Sequence, residues 1–450
     1  MWAMNEWSVS RVEQLAPDAA SLGAARGLAR PAKWARLGRT EAMAWGECQG
    51  SGASPYQVRV DLTDVAYKCS CPSRKLPCKH TLALLLLLAG QSLPEAPPPA
   101  FVDEWATARS SRTAAKAARA ATPARPPDAR AQAQRIEQRE ARIDSGLSQL
   151  ETWLCDLIAQ GLAAARAQPA AFWEQMAARL VDAQAPGLAR RIRALAHVAA
   201  SRDDWQSRLL SGLARVQMLV EAYRRREQLP TTLAAEVRVQ IGWTQDQESV
   251  LGGDGLRDTW EVCGIRRSGD EQLMTQFVWL VSQTTGAPAL ILEFAPGTQP
   301  FRTVATLGET FEAEVAYFDA AVPLRALIKT RGPGHLATTL AHATTVNELE
   351  TRVAGVLALN PFAERWPAVL GPVTAAFDGE RCVLKDGRSR LATVRGFHHG
   401  WHLVALSRFE PVTLFGEWTP EGFDPVSVAS RGRIYGFAVD GAQPVLLGAA

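Results

Sequence analysis

Apolar and polar residues along the 450-residue chain change their rhythm repeatedly, and each change predicts an element. Residues 5–30 space Leu15, Leu22 and Leu28 among alanines, a helical pattern that ends at Pro31. Ala42 to Cys48 is strand-like and Tyr56 to Leu62 alternates with period two, with the turn-forming stretch 49–55 between them. Thr63 and Asp64 turn the chain into Val65 to Cys71, completing a small antiparallel meander. Thr81 to Ala89 contains five consecutive leucines and is stopped by Gly90 and Pro94. That helix is apolar all round. A small module cannot cover it alone, so it must pack on the preceding helix, another domain or a partner.

Residues 91–134 lose this order. Pro94, Pro97, Pro98, Pro99, Pro123, Pro126 and Pro127 punctuate an Ala/Arg/Ser stretch with too little apolar surface to offset its ordering entropy. The segment reads as a linker, with a transient helix around Ala114 to Ala121. From Ile136 the helical spacing returns in Ile143, Leu147, Leu150, Leu154 and Leu157. Helices follow over Phe172–Leu180, Leu188–Ala200 and Trp205–Arg226, broken near Pro169 and Pro186, as in a four- or five-helix bundle. Past Pro230, short β-rich runs appear: Val237–Trp243, Thr259–Ile265, Gln276–Val281, Ala289–Phe294 and Phe311–Tyr317. A helical island at Leu336–Leu357 precedes further strands at Val373–Phe377, Arg390–Phe397, Trp401–Ser407, Val412–Trp418 and Ile434–Val439. The expected fold class is α+β and multidomain. An amino-terminal module, 1–90, holds a small ββα-type unit at about 42–90. It is followed by the linker 91–134, a central helical bundle 135–229, a β-rich domain 230–330, and a helix plus β-rich domain 331–450. The β segments predict one or two small sandwiches or barrels.

Composition narrows the class. Hydrophobic residues make up 47% and charged residues 21%, as in a soluble globular protein. The amino terminus has no basic patch followed by an apolar core, so no secretory signal is expected. The longest apolar run, Leu82 to Ala89, is far short of the ~20 residues that span a bilayer, so no membrane association is expected. A cytoplasmic location follows, where thiols ligate metals more readily than they form disulfides. The net charge of +3 is uneven. Residues 1–142 hold 20 Lys and Arg against 13 Asp and Glu, a balance of +7, and the remainder is slightly acidic. A basic front half fits contact with phosphates, although basic linkers are often only solvated tails.

The densest chemistry lies in Cys69, Cys71, Cys78 and His80, spaced C-x-C-x6-C-x-H. Three thiolates and one imidazole are a full tetrahedral set for Zn²⁺. In a strand, residues two apart share a face, so Cys69 and Cys71 present both sulfurs together, and Cys78 and His80 close the tetrahedron after the intervening turn. With four protein ligands no coordination position stays open, so the single zinc is structural rather than catalytic. A redox Cys pair or plain packing fits less well, because Lys68, Arg74, Lys75 and Lys79 make the stretch too polar for a core strand. Cys48, Cys155, Cys263 and Cys382 are scattered and read as packing residues.

This motif, followed by a leucine-rich helix, resembles the SWIM zinc finger. Together with Trp45 to Gly52, Pro55-Tyr56, Cys71 to Arg74 and Pro77 to His80, it resembles bacterial SWIM zinc finger family proteins over roughly residues 28–90. The resemblance implies a zinc-binding module that recognises DNA or protein, with no established catalytic activity. It also implies work beside MoxR-like ATPases and von Willebrand A-type proteins. Two functions therefore stand side by side. In one, the finger is a protein-interaction adaptor, which the all-apolar helix favours. In the other, it binds DNA or RNA through Lys68, Arg74, Lys75, Lys79 and the linker arginines.

Other motifs add little. Gly252 to Gly255 lacks the Lys-Ser/Thr of a phosphate loop and reads as a hairpin turn. His398, His399 and His402 read as a turn with partly exposed imidazoles rather than a second metal site. No H-E-x-x-H or G-x-S-x-G occurs, and a non-enzymatic protein is expected.

Overall fold

The computed structural model describes residues 7–16, 19–49, 54–63, 66–73, 77–90, 93–121, 129–201, 204–269, 272–296, 301–437 and 447–448. The amino-terminal module opens with helices α1 (Val9–Leu15) and α2 (Ala19–Leu28), where a single helix was expected. Strands β1 (Trp34–Arg39), β2 (Met43–Cys48), β3 (Tyr56–Asp61) and β4 (Ala66–Cys69) form an antiparallel meander in sequence order, and helix α3 (Lys79–Ala89) packs on it. Gly38 lies under the indole of Trp45, whose ring atoms stand 2.6 Å from where a Cβ would sit. Only glycine lets that ring lie flat on β1. Leu82, Leu84 and Leu85 of α3 are fully buried with Val12, Ala25, Val58 and Val60. The apolar helix is therefore covered by α1, α2 and the meander of its own chain, which removes the reason for giving its apolar face to a partner.

The expected linker contains helix α4 (Ala100–Ala121), and α5 (Ala129–Gln160) begins before its end. Ala and Arg are among the best helix formers, and the few apolar residues of α4 suffice to seat it: Val102 is buried and Phe101 lies over Arg59 of β3. The bundle follows as α5, α6 (Leu162–Ala167), α7 (Ala170–Asp182), α8 (Pro186–Ala200) and α9 (Trp205–Arg224). Ile143, Leu147, Leu150, Leu154 and Leu157 form one buried stripe on α5. Val237–Trp243, expected as a strand, instead ends helix α10 (Thr231–Ile241), which joins the bundle beyond the expected edge at 229. Val237 and Ile241 are four residues apart and both fully buried, a helical repeat that a seven-residue run also displays as alternation. Gly252 to Gly255 is no hairpin: it ends helix α11 (Gln247–Gly252) and leads into a strand.

The β-rich half contains two sheets. Strands β5 (Leu256–Gly269), β6 (Leu273–Ser282), β7 (Pro288–Pro296), β8 (Glu309–Tyr317) and β9 (Arg325–Leu336) close a barrel in the order β5-β6-β7-β9-β8, with β7 and β9 parallel. Helix α12 (Val346–Leu359) follows; the expected helical island began ten residues too early, because Leu336 ends β9. The second sheet combines β10 (Trp366–Asp378), β11 (Arg381–Asp386), β12 (Ser389–Ala392), β13 (Val412–Thr419), β14 (Gly422–Ser430), β15 (Arg433–Gly436) and β16 (Leu447–Gly448) in the order β12-β11-β10-β13-β14-β15-β16. Trp401–Ser407, expected as a strand, lies in helix α13 (Gly400–Ser407), with Leu403, Val404 and Ser407 facing inward at helical spacing. Trp279 of the barrel packs on Phe415 of the second sheet at 6.1 Å between centroids, within a shared core that includes Cys263 and Val426. Beside it, Arg266 grips Asp424 at 2.6 and 2.8 Å. Among the described residues, no helix is long and apolar enough to cross a membrane.

Candidate metal centre

The meander and α3 bring the four expected donors together. Cys69 ends β4, Cys71 follows two residues later, and Cys78 and His80 lie at the start of α3. Their ligand atoms all lie within 4.8 Å of one another. His80 turns Nδ1 towards the sulfurs, 3.9 Å from Cys69 Sγ and 3.9 Å from Cys78 Sγ. A zinc tetrahedron with bonds of ~2.3 Å to sulfur and ~2.0 Å to nitrogen has edges of roughly 3.5–3.8 Å. The His80 contacts therefore need to close in by a few tenths of an ångström, and the most separated donors by about one ångström. The cluster is able to hold one Zn²⁺.

Local structure fixes each donor. Cys78 is the N-cap of α3, and its sulfur accepts from the backbone N–H of Thr81 at 3.5 Å, with the Thr81 hydroxyl 3.4 Å away. These contacts direct the sulfur at the start of the helix, where the macrodipole favours a thiolate. The ring of Tyr56 lies 4.9 Å from that of His80, tilted by 43°. Ser70, between the first two cysteines, is tied to β3: its N–H donates to Gln57 O, and its hydroxyl accepts from the Gln57 N–H at 2.9 Å. Cys78 and His80 are buried, whereas Cys69 and Cys71 are half-buried.

Without a cation the crowded thiols share protons. Hydrogen bonds from Cys69 and Cys71 hold the Cys78 thiol far below its ordinary range, while contacts with Cys71 and Cys78, together with burial, push Cys69 up. Burial disfavours the His80 imidazolium, but its contacts with Cys71 and Cys78 outweigh that and raise the group to about 9. Metal binding must expel these protons, so affinity rises with pH. Three thiolates and a neutral imidazole leave a zinc centre at net −1. Arg59 supplies a cation beside it: buried on β3 opposite Lys68, it is pulled down by burial and held up by Cys69 and Glu104. Motif reading passed over Arg59, because it lies outside the ligand spacing and only β-pairing brings it alongside.

The basic candidates divide. Lys68 and Lys79 are exposed, and Arg74 and Lys75 lie outside the described residues. Three arginines in or beside the module pair with carboxylates: Arg39 with Glu95 at 3.1 Å, Arg109 of α4 with Asp61 at 3.6 Å and Arg36 with Glu47 at 3.7 Å. His399 and His402 sit 5.6 Å apart, centroid to centroid, at the start of α13. Among the described residues, only the Cys69 cluster gathers three or more metal-binding side chains.

Comparison with protein families agrees with this geometry. The model of the SWIM zinc finger matches residues 56–89, and that of the SWIM-associated four-helix bundle domain matches residues 138–241. No curated protein and no solved structure matches the chain.

Proposed function

We propose that this SWIM zinc-finger protein is a cytoplasmic, non-enzymatic adaptor, in which one structural zinc fixes a surface that a protein partner reads. The zinc completes its coordination with Cys69, Cys71, Cys78 and His80, which leaves no position for water or substrate. The observation favouring a protein partner over nucleic acid is the pairing of Arg36, Arg109 and Arg39, in or beside the module, with Glu47, Asp61 and Glu95. Paired guanidiniums release few counterions from a phosphate backbone. The partner does not read α3, which the chain itself covers. It reads the finger's outer rim, where Lys68, Pro72 and Lys79 are exposed. A MoxR-like ATPase system is the partner class that the family resemblance implies.

The test has two arms. Wild-type protein should capture a MoxR-like ATPase and Cys78→Ser should not. Neither should shift duplex or single-stranded oligonucleotides near physiological salt. Nucleic-acid binding that weakens steeply with salt, and loses that slope when Lys68 and Lys79 become alanine, would replace the adaptor with the nucleic-acid reading.

A further inference from the structure

Where bundle, barrel and second sheet meet, the fold leaves two adjoining cavities, and no residue of the finger lines either. One, of about 340 Å³, lies between Trp243 at the end of α10 and Phe318 and Arg325 of the barrel. The other, of about 320 Å³, is apolar and lies beside α12, walled by Val281, Pro288 and Val369. Val322, Val356 and Trp366 line both. Each falls in the range of small-molecule pockets, ~300–1,000 Å³, and domain junctions are where such pockets concentrate.

Two residues give the cleft a chemistry. Arg325, at the start of β9, is half-buried, with its guanidinium 4.5 Å from the centre of the Phe318 ring. Among the described residues no carboxylate or carbonyl pairs with it. Arg365, which lines the same cavity, is already held by Glu417 at 2.8 Å and Asp424 at 3.1 Å. Arginine keeps its charge in proteins, so the first cavity presents one cation that lacks a partner, while Arg352, exposed on α12, borders the second. Gly355 lies in the interior of α12 and on the wall of the apolar cavity, with nothing within 4 Å of where its Cβ would stand. Glycine weakens a helix interior, and no close packing requires it here. Gly355 is exposed, so a side chain there would stand at the mouth of the cavity.

We infer that this cleft binds a small amphipathic monocarboxylate, its head on Arg325 and its apolar chain in the space beside Gly355. One guanidinium matches one carboxylate with two parallel hydrogen bonds. Glu236, Asp319 and Glu364 also line the first cavity and disfavour a second negative charge.

Titration of the zinc-loaded full-length protein tests this, with decanoate, decanol and decyl phosphate as probes and calorimetry as readout. Decanoate should saturate one site, with decanol and decyl phosphate at least tenfold weaker. Arg325→Gln should lower decanoate affinity to that of decanol and leave decanol binding unchanged. Gly355→Leu, with a Tm no lower than wild type, should abolish both. Decanoate binding that fails to saturate, that decanol or decyl phosphate matches, or that survives Arg325→Gln would overturn the assignment. Should Gly355→Leu fold poorly, the probe series and Arg325→Gln still decide it.

Discussion

The leucines of α3 and the aromatic seam between Trp279 and Phe415 are buried alike, yet different forces hold them in place. In the amino-terminal module a four-stranded meander and two short helices surround α3, and the end of β4 and the start of α3 meet in the same four-donor cluster. Below about 70–80 residues an apolar core rarely suffices, and a metal commonly makes up the difference. The β-rich half has the opposite character. Its barrel closes on itself and leaves no free edge, and a second sheet covers one side through Trp279, Phe415 and Val426. Apolar area does there what the zinc cluster does in the finger. Placing metal dependence in one region leaves the other free to keep its shape when the metal is lost.

Three substitutions break or sharpen that contrast, in decreasing order of effect. Cys78→Ser should remove the zinc and unfold the module, because structural zinc contributes ~10–16 kcal/mol in small finger peptides. Zinc content and the near-ultraviolet signal of Trp34 and Trp45 report it. Full zinc occupancy in a Cys69→Ser/Cys78→Ser double variant would refute the ligand set. Trp279→Ala should cost about 3–5 kcal/mol by opening a cavity at the seam, with the same loss in denaturant melts with and without chelator. A chelator-dependent loss would mean that the two regions are energetically joined.

Glu261→Gln should stabilise the protein by roughly 1–2 kcal/mol at neutral pH, since a buried oxygen without a partner is costly, more so when charged. Glu261 is fully buried on β5; Gln283 and the Ala341 N–H donate to one oxygen, and the other has no partner among the described residues. Burial raises its pKa above 4.5 despite those hydrogen bonds. Its protonated form therefore contributes stability that is fully present below pH 4.5 and lost as pH rises through the higher folded value. The advantage of Glu261→Gln should grow over that window and vanish in acid. Melts whose difference is flat with pH would show that the carboxyl titrates as it does in the unfolded chain.

How much of this was legible beforehand follows the length over which each signal acts. The metal cluster was legible because its donors fall within twelve residues and the meander is local. The long stripe of α5 was legible because its repeat persists over four turns. Val237–Trp243 and Trp401–Ser407 were misread because alternation and helical spacing coincide over seven residues, and burial on a neighbouring element decides between them. Of α4 only the end, around Ala114 to Ala121, was legible, because alanine and arginine give no apolar period even where their propensity is high. Arg59 and Arg325 were beyond sequence reasoning. The first gains its meaning from the strand beside it, the second from a junction between regions more than eighty residues apart.

Zinc should hold the amino-terminal module together and nothing further. Hydrogen exchange measured on the full chain, with and without a strong chelator, tests it most directly. Chelation should accelerate exchange in β1 to β4 and α3, while the backbone amides of α5, α7 to α9 and β5 to β14 should keep their protection. Equal protection of β1 to β4 with and without the metal would contradict it, and so would loss of protection spreading through the barrel.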